Sequence, residues 1–332
     1  MIRHLLITLF TIATCQLFAQ QLNTPKDFLE IMENSSIEYF IDSNVTVKRD
    51  LIVLENPPFS ATVNSISDSR KLPKFIKKGN KFYKKRKYTK ALKSYEKALG
   101  FDENNLWILN KIGTVYNFQD ESQKAIDFFT NLLVNNDLDF EIYNELATAY
   151  AAISDTSAAL EAITKAHILN RNDTVIKNKM VEMYEYFGYE FYKKGNFIFN
   201  YEIKKIGNDS VKINTNSPLW NSYASCKAVW KCDKNYQKAR GNDFPKNLDF
   251  VQEKECLLNF LMLYESASEV DKKALKPEYD LLTKAIDTKQ LNAFIQYEIW
   301  AVENPISTHE IRFNDPEDFE MMMDYVRTIR VK

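Results

Sequence analysis

Small and large apolar residues return every 34 positions between residues 72 and 173. Gly79, Gly113 and Ala147 form one column; Phe82, Tyr116 and Tyr150 a second; Ala91, Ala125 and Ala159 a third; Tyr95, Phe129 and Ile163 a fourth; Ala98, Leu132 and Ala166 a fifth. A small residue and a ring three positions apart share one face of a 3.6-residue helix. Each unit therefore reads as two antiparallel helices, with small side chains where they approach and large ones beside them. The predicted units are 72–105, 106–139 and 140–173. Arg86, Asp120 and Ser154 fall at the turns, and Asp120 and Ser154 are expected as N-caps of the second helices. The pattern is still in phase at Tyr184 and is lost by Gly188. Residues 174–214, dense in aromatics, are thus expected as a divergent helix pair capping the stack, whose last apolar face otherwise meets water. A stacking site for a sugar or peptide is the alternative use of those rings.

Further on, Ser217-Pro218 is an N-cap with proline at the first helical position, followed by Leu219, Tyr223, Cys226 and Trp230 on one face. Helices are expected at about 248–268, 278–287 and 290–302, and Asp315-Pro316 opens a last one carrying Phe319, Met322, Met323 and Val326. The stretch 215–332 thus reads as a helical C-terminal module. Ahead of the repeats, 20–71 reads as a partly extended arm, with a short helix at 25–33 and an extended stretch at 45–54.

Composition sharpens the helical reading. The 332 residues include only 7 glycines, where average usage gives about 23, so neither a sandwich with frequent tight turns nor a Gly-rich phosphate loop is available. With 44 basic and 45 acidic residues the net charge is −1, which makes no case for nucleic acid. Three histidines and four cysteines without a CxxC pair leave no metal-ligand spacing, and no cofactor is expected. Residues 1–19 combine Arg3, an apolar run from Leu5 to Phe18 and Ala19, which reads as a secretory signal peptide. The run is too short for a ~30 Å hydrocarbon core. Cys15 as a lipoprotein acceptor is the alternative. In an oxidising compartment buried, unpaired cysteines on apolar helix faces are the first reading, and a single Cys232–Cys256 disulfide is the alternative if the helices flanking the 239–247 loop pack antiparallel.

The 34-residue columns resemble the tetratricopeptide repeat (TPR), most closely in GNKFYKKRKYTKALKSYEKAL at 79–99. The resemblance implies an all-α, right-handed solenoid of helical hairpins. The signal and the Lys/Asn/Ile-rich composition resemble exported proteins of Bacteroidota, implying periplasm or cell envelope. The family's inner groove falls here on Asn80, Tyr83, Lys84, Trp107, Asn110, Thr114, Asn117, Phe118, Asn144 and Thr148, beside Ile76, Glu141 and Ala151. Asparagine suits an extended peptide backbone, and the rings suit anchoring. The family's carboxylate clamp is matched only by Asn80, while Glu141 and Glu145 stand where cations are needed. The expected function is a non-enzymatic scaffold binding a protein or peptide, not transmembrane once the signal is removed. Residues 70–97 hold thirteen Lys/Arg against Glu96 alone. Lys77, Lys78, Lys81, Lys85, Arg86 and Lys87 form the centre of that patch, and an anionic lipid or glycan surface is the alternative partner. A hydrolase using Glu265 or Glu298 is the remote alternative.

Overall fold

The structure, a computed structural model, describes residues 37–39, 72–134, 137–191, 201–207, 210–215, 217–240, 250–303 and 307–331. The signal reading at 1–19, Cys15, and the helix and extended stretch expected in the arm lie outside the described residues. The chain divides into two compact units, 1–40 with 199–274, and 41–198 with 275–332. The single module expected over 215–332 is therefore shared between two units.

The repeats build the larger unit. They give α1 (Leu72–Lys84) and α2 (Tyr88–Leu99), α3 (Leu106–Phe118) and α4 (Ser122–Leu133), and α5 (Phe140–Ala152) and α6 (Thr156–Leu169). Next comes α7 (Thr174–Tyr186). The first helices of successive units start at N-caps that also step by 34. Asn105 accepts from the Ile108 amide at 3.1 Å, Asp139 from the Glu141 amide at 3.0 Å and Asp173 from the Val175 amide at 2.8 Å, each satisfying a donor the helix leaves unpaired. The turns correct the sequence reading. Asp120 and Ser154 are not N-caps; with Arg86 they take left-handed backbone, with φ of 59°, 61° and 54°. The cap falls one residue later, where Asp155 accepts from the Ala158 amide at 3.1 Å. Gly188, with φ 87°, is the fourth member of this column. The period therefore runs one helix, α7, beyond the three repeats, as far as Gly188.

Close helix approach explains the small-residue column. A Cβ built on Gly79 would lie 2.4 Å from Tyr95 Cε1, and one on Gly113 would lie 2.3 Å from Phe129 Cζ. Each ring is fully buried in the space its glycine leaves. In the third unit the same columns hold Ala147 and Ile163, both also fully buried. A larger small residue is matched there by a smaller partner, which preserves packed volume.

The smaller unit overturns the helix pair expected over 174–214. Residues after α7 instead supply β2 (Tyr201–Gly207) and β3 (Ser210–Thr215), which join β1 (Ile37–Tyr39) in an antiparallel sheet ordered β1-β2-β3. Tyr39 pairs with Ile203, and Ile203 with Ile213. Alternation of Tyr201 and Ile203, then Val211 and Ile213, around Gly-Asn-Asp-Ser is a hairpin signal that the aromatic density obscured. This face packs on Ala224 and Ala228 of α8 (Pro218–Cys232). Ser217 caps α8 as expected, its Oγ accepting from the Leu219 amide at 3.2 Å. After α9 (Lys234–Arg240), α10 (Phe250–Ser266) returns against α8, with the Trp220 and Phe260 rings 4.9 Å apart. Buried Glu253 accepts from the Tyr223 hydroxyl at 2.7 Å and from the Lys227 ammonium. Cys256 carries a free thiol whose hydrogen-bond partner is Cys226, also free and buried. The alternative Cys232–Cys256 bridge is not formed, since the register of α8 on α10 brings Cys226 rather than Cys232 to Cys256.

Helix α11 (Glu269–Asp287) passes through Pro277 and begins well before it, whereas the sequence reading starts this helix at 278, just after the proline. It leads to α12 (Leu291–Phe294), a π-helical segment (Ile295–Trp300) and α13 (Ala301–Glu303), then α14 (Ser307–Asn314) and α15 (Pro316–Ile329). Helices α14 and α15 lie against α6, so the last hairpin is covered by the C-terminal helices. At this junction the fully buried Glu298 carboxylate accepts from Arg330 Nε at 2.6 Å and Nη2 at 2.7 Å, Arg171 Nη2 at 3.2 Å and the Tyr325 hydroxyl at 2.9 Å. Burial alone would raise its pKa, but the two guanidiniums outweigh burial and hold it below the usual carboxylate range. His167 Nε2 lies 3.0 Å from the Tyr297 hydroxyl, and burial, with Arg171 nearby, holds the imidazole well below its usual range.

Four stability outcomes are expected. Gly113→Ala should lower the unfolding free energy by about 1–3 kcal/mol through overpacking, and Phe129→Ile on that background, which reproduces the Ala147/Ile163 pairing, should recover most of it in urea titrations. Ser154→Gly should gain, and Gly188→Ala lose, roughly 1 kcal/mol, because only glycine takes left-handed backbone without strain. Melting temperature should fall as pH drops below about 6.5, where the unfolded chain protonates the histidine that the fold keeps neutral, and further below about 4.5 as Glu298 is discharged. Both groups have depressed folded pKa values, so each contributes stability above its unfolded pKa and loses it on acidification. Glu298→Gln should cost about 3–5 kcal/mol at neutral pH by leaving buried guanidiniums uncompensated, and should flatten the steeper acid limb.

Candidate functional site

The face carrying the expected groove residues is formed by α1, α3, α5 and α7, and hydrogen bonds run across it from helix to helix. Asn110 Nδ2 donates to Glu141 Oε2 at 3.0 Å, and Asn117 Nδ2 to the Glu145 carbonyl at 3.1 Å. Lys179 Nζ donates to the Asn144 carbonyl and to Thr148 Oγ1, both at 2.7 Å. Burial lowers the Lys179 pKa, opposed by Glu145. These contacts place the asparagines as cross-links between repeats. Asn110 and Thr114 are buried, Thr114 Oγ1 donating to the Asn110 carbonyl at 2.8 Å, and Asn80 Oδ1 accepts from the Tyr95 hydroxyl at 2.7 Å. Three side-chain oxygens, Oδ1 of Asn110, Asn117 and Asn144, are buried with no donor. An unmet buried acceptor is unfavourable, so this face is short of donors.

Its accessible part is aromatic. Phe118 is 52% exposed. Its ring stacks on Tyr88 with centroids 5.5 Å apart and meets Tyr83 edge-on at 5.6 Å, while Tyr83 and Tyr88 lie 6.0 Å apart. Asn117, next to Phe118 in the chain, has its Nδ2 3.4 Å from Glu145 Oε2, which brings a carboxylate to the side of this cluster, and the Tyr83 pKa is pushed up to about 12 by burial, then by the charge of Glu145 and by Tyr88. Lys84 is exposed at its edge. Trp107 sits apart from this cluster, edge-on to Tyr95 at 6.3 Å with the Lys111 ammonium 5.5 Å from its ring centroid. Tyr83, Phe118 and Asn117 are thus brought together, while Asn80, Asn110 and Thr114 belong to the packing beneath. Sequence reasoning passed over Tyr88 and Lys179. Lys179 was within reach, since Asn178 and Lys179 continue the columns of Asn144 and Glu145 by one more step of 34. Tyr88 opens a second helix, and only the hairpin turn brings it to this face.

Lys77, Lys78, Lys81, Lys85, Arg86 and Lys87 are all exposed. Glu298, considered for acid–base chemistry, is taken up by Arg171, Arg330 and Tyr325. Among the described residues no three His, Cys, Asp or Glu side chains gather as metal ligands, and no helix is long and apolar enough to cross a membrane.

Among curated proteins none matches the chain. Among solved structures, the first TPR of Spaghetti (RPAP3) bound to the HSP90 peptide SRMEEVD is 21% identical, covering 37% of this chain and 98% of that one with a TM-score of 0.33. The Sgt2 TPR domain from Aspergillus fumigatus is 19% identical, covering 36% and 80% with a TM-score of 0.32. MamA protein is 18% identical, covering 64% and 94% with a TM-score of 0.30. Residues 79–117 match the family model described as TPR repeat, and the chain carries that repeat.

Proposed function

We propose that this protein is a non-enzymatic scaffold of the periplasm or cell envelope that holds a segment of another protein on the face formed by α1, α3, α5 and α7. The observation that carries the reading is the half-exposed Phe118 ring, seated on Tyr88 and Tyr83 beside Glu145. A large ring held rigid at a polar rim is the kind of group that dominates interface energy. Its chemistry also selects the ligand. The aromatic faces and adjacent carboxylate favour a lysine or arginine side chain. An acidic tail is disfavoured, because Glu141 and Glu145 repel it.

Short synthetic peptides graded from acidic to basic, titrated against the purified chain by fluorescence anisotropy, test this. Basic, aromatic-containing peptides should bind best. Phe118→Ala and Glu145→Lys should each weaken them by roughly tenfold or more with unchanged melting temperature. Preference for acidic peptides, or equal binding by both variants, would overturn the reading. Export predicts a mature chain beginning near Gln20, and mass spectrometry of the protein from intact cells reads this directly. A lipid-modified Cys15 would replace a soluble scaffold by an anchored one.

A further inference from the structure

A separate feature of the larger unit is unexplained by peptide capture. The first hairpin carries eleven described cations, ten lysines and Arg86, against the single acid Glu96. They are ordered. Lys74, Lys77, Lys81 and Lys84 run along α1 at spacings of three and four, and Lys90, Lys93 and Lys97 do the same along α2. Such spacings form one stripe per helix, and every one of these residues is exposed. The apolar side chains of both helices, Phe75, Phe82, Tyr88 and Leu92 among them, are turned to the core. What remains outward is a nearly continuous cationic face.

None of these eleven cations makes an ion pair among the described residues. Elsewhere in the same unit exposed lysines pair along their own helices, as Lys124 does with Glu121 at 3.0 Å and Lys276 with Asp280 at 2.7 Å. A solvated helix face needs no such bias, and like charges at these spacings destabilise a helix. The arrangement therefore favours an external anion.

We propose that the α1–α2 hairpin docks on the surface of a bilayer containing anionic phospholipid. The preference for lysine carries the choice of partner. Lysine is a compact, strongly hydrated point charge suited to diffuse attraction by many phosphates, whereas recognition of one carboxylate or phosphate pair uses the planar fork of arginine. No outward apolar anchor lies between the lysines to fix a protein partner in one register. On the export reading proposed above, the chain does not meet nucleic acid. The hairpin then holds the array at a membrane surface while α1, α3, α5 and α7 engage their ligand, and the two activities are separable by substitution.

Co-sedimentation of the full chain with phosphatidylcholine vesicles, with and without phosphatidylglycerol, tests this at low and physiological salt. Binding should require phosphatidylglycerol and fall steeply with salt, because exposed charges are screened. The triple reversals Lys77→Glu/Lys78→Glu/Lys81→Glu and Lys90→Glu/Lys93→Glu/Lys97→Glu should each reduce it by roughly tenfold. Lys234→Glu/Lys238→Glu on α9 should leave it unchanged, and circular dichroism should show all variants folded. Equal binding to neutral vesicles, insensitivity to salt or to the reversals, or binding to soluble polyglutamate or DNA with none to anionic vesicles, would overturn the proposal.

Discussion

The repeat array depends on how closely two helices of a hairpin approach. Gly79 and Gly113 have no Cβ to hold the helices apart, and the rings of Tyr95 and Phe129 fill the space at contact distance. Dispersion and burial reward that fit only if it is tight. The hairpin geometry thus hangs on pairs sixteen residues apart in sequence, near enough for the pattern to be read without a structure. The left-handed turns are the reverse side of the constraint. Arg86, Asp120 and Ser154 adopt a conformation unfavourable for side-chain-bearing residues, and they hold it because packed helices on either side leave the chain no longer path.

A stack of hairpins has an end, and here the end is closed by a buried ionic cluster as well as by apolar contact. Glu298 lies between Arg171, at the close of the third repeat, and Arg330, near the C-terminus. Its desolvation is offset because both guanidiniums and the Tyr325 hydroxyl reach it in good geometry. The π-helical segment that carries Glu298 aligns it with Tyr297, whose hydroxyl meets His167 and whose carbonyl accepts from Arg171 Nε at 3.3 Å. Local widening of the helix is a common accompaniment of such specialised positions. The cluster makes the array's end specific, since an apolar cover alone tolerates sliding.

Polar chemistry is sorted between the faces of the array. The asparagines of α3 and α5 mostly serve neighbouring repeats, leaving acceptor oxygens without donors and a small aromatic surface at Phe118. The first hairpin bears unopposed cations instead. These surfaces attract different chemistry, one directional and short in range, the other diffuse and screened by salt.

The sequence by itself determined the hairpins, because the glycine columns meet rings only sixteen residues on, the pattern returns every 34 residues, and the Ser217 cap serves an amide two residues away. It also marked the candidate face, through Tyr83, Asn117 and Phe118. It did not distinguish ligand-facing asparagines from those spent between repeats, since that depends on Glu141, Glu145 and Lys179 in later helices. Nor did it reveal the β2–β3 hairpin, whose alternation is short and lies within an aromatic-rich stretch. Only tertiary structure decided that Cys256 faces Cys226, that Tyr88 joins the aromatic cluster, and that Glu298 is a buried counter-ion. Each of these rests on contacts between segments far apart along the chain, where side-chain identity sets what a residue can do and packing sets what it meets.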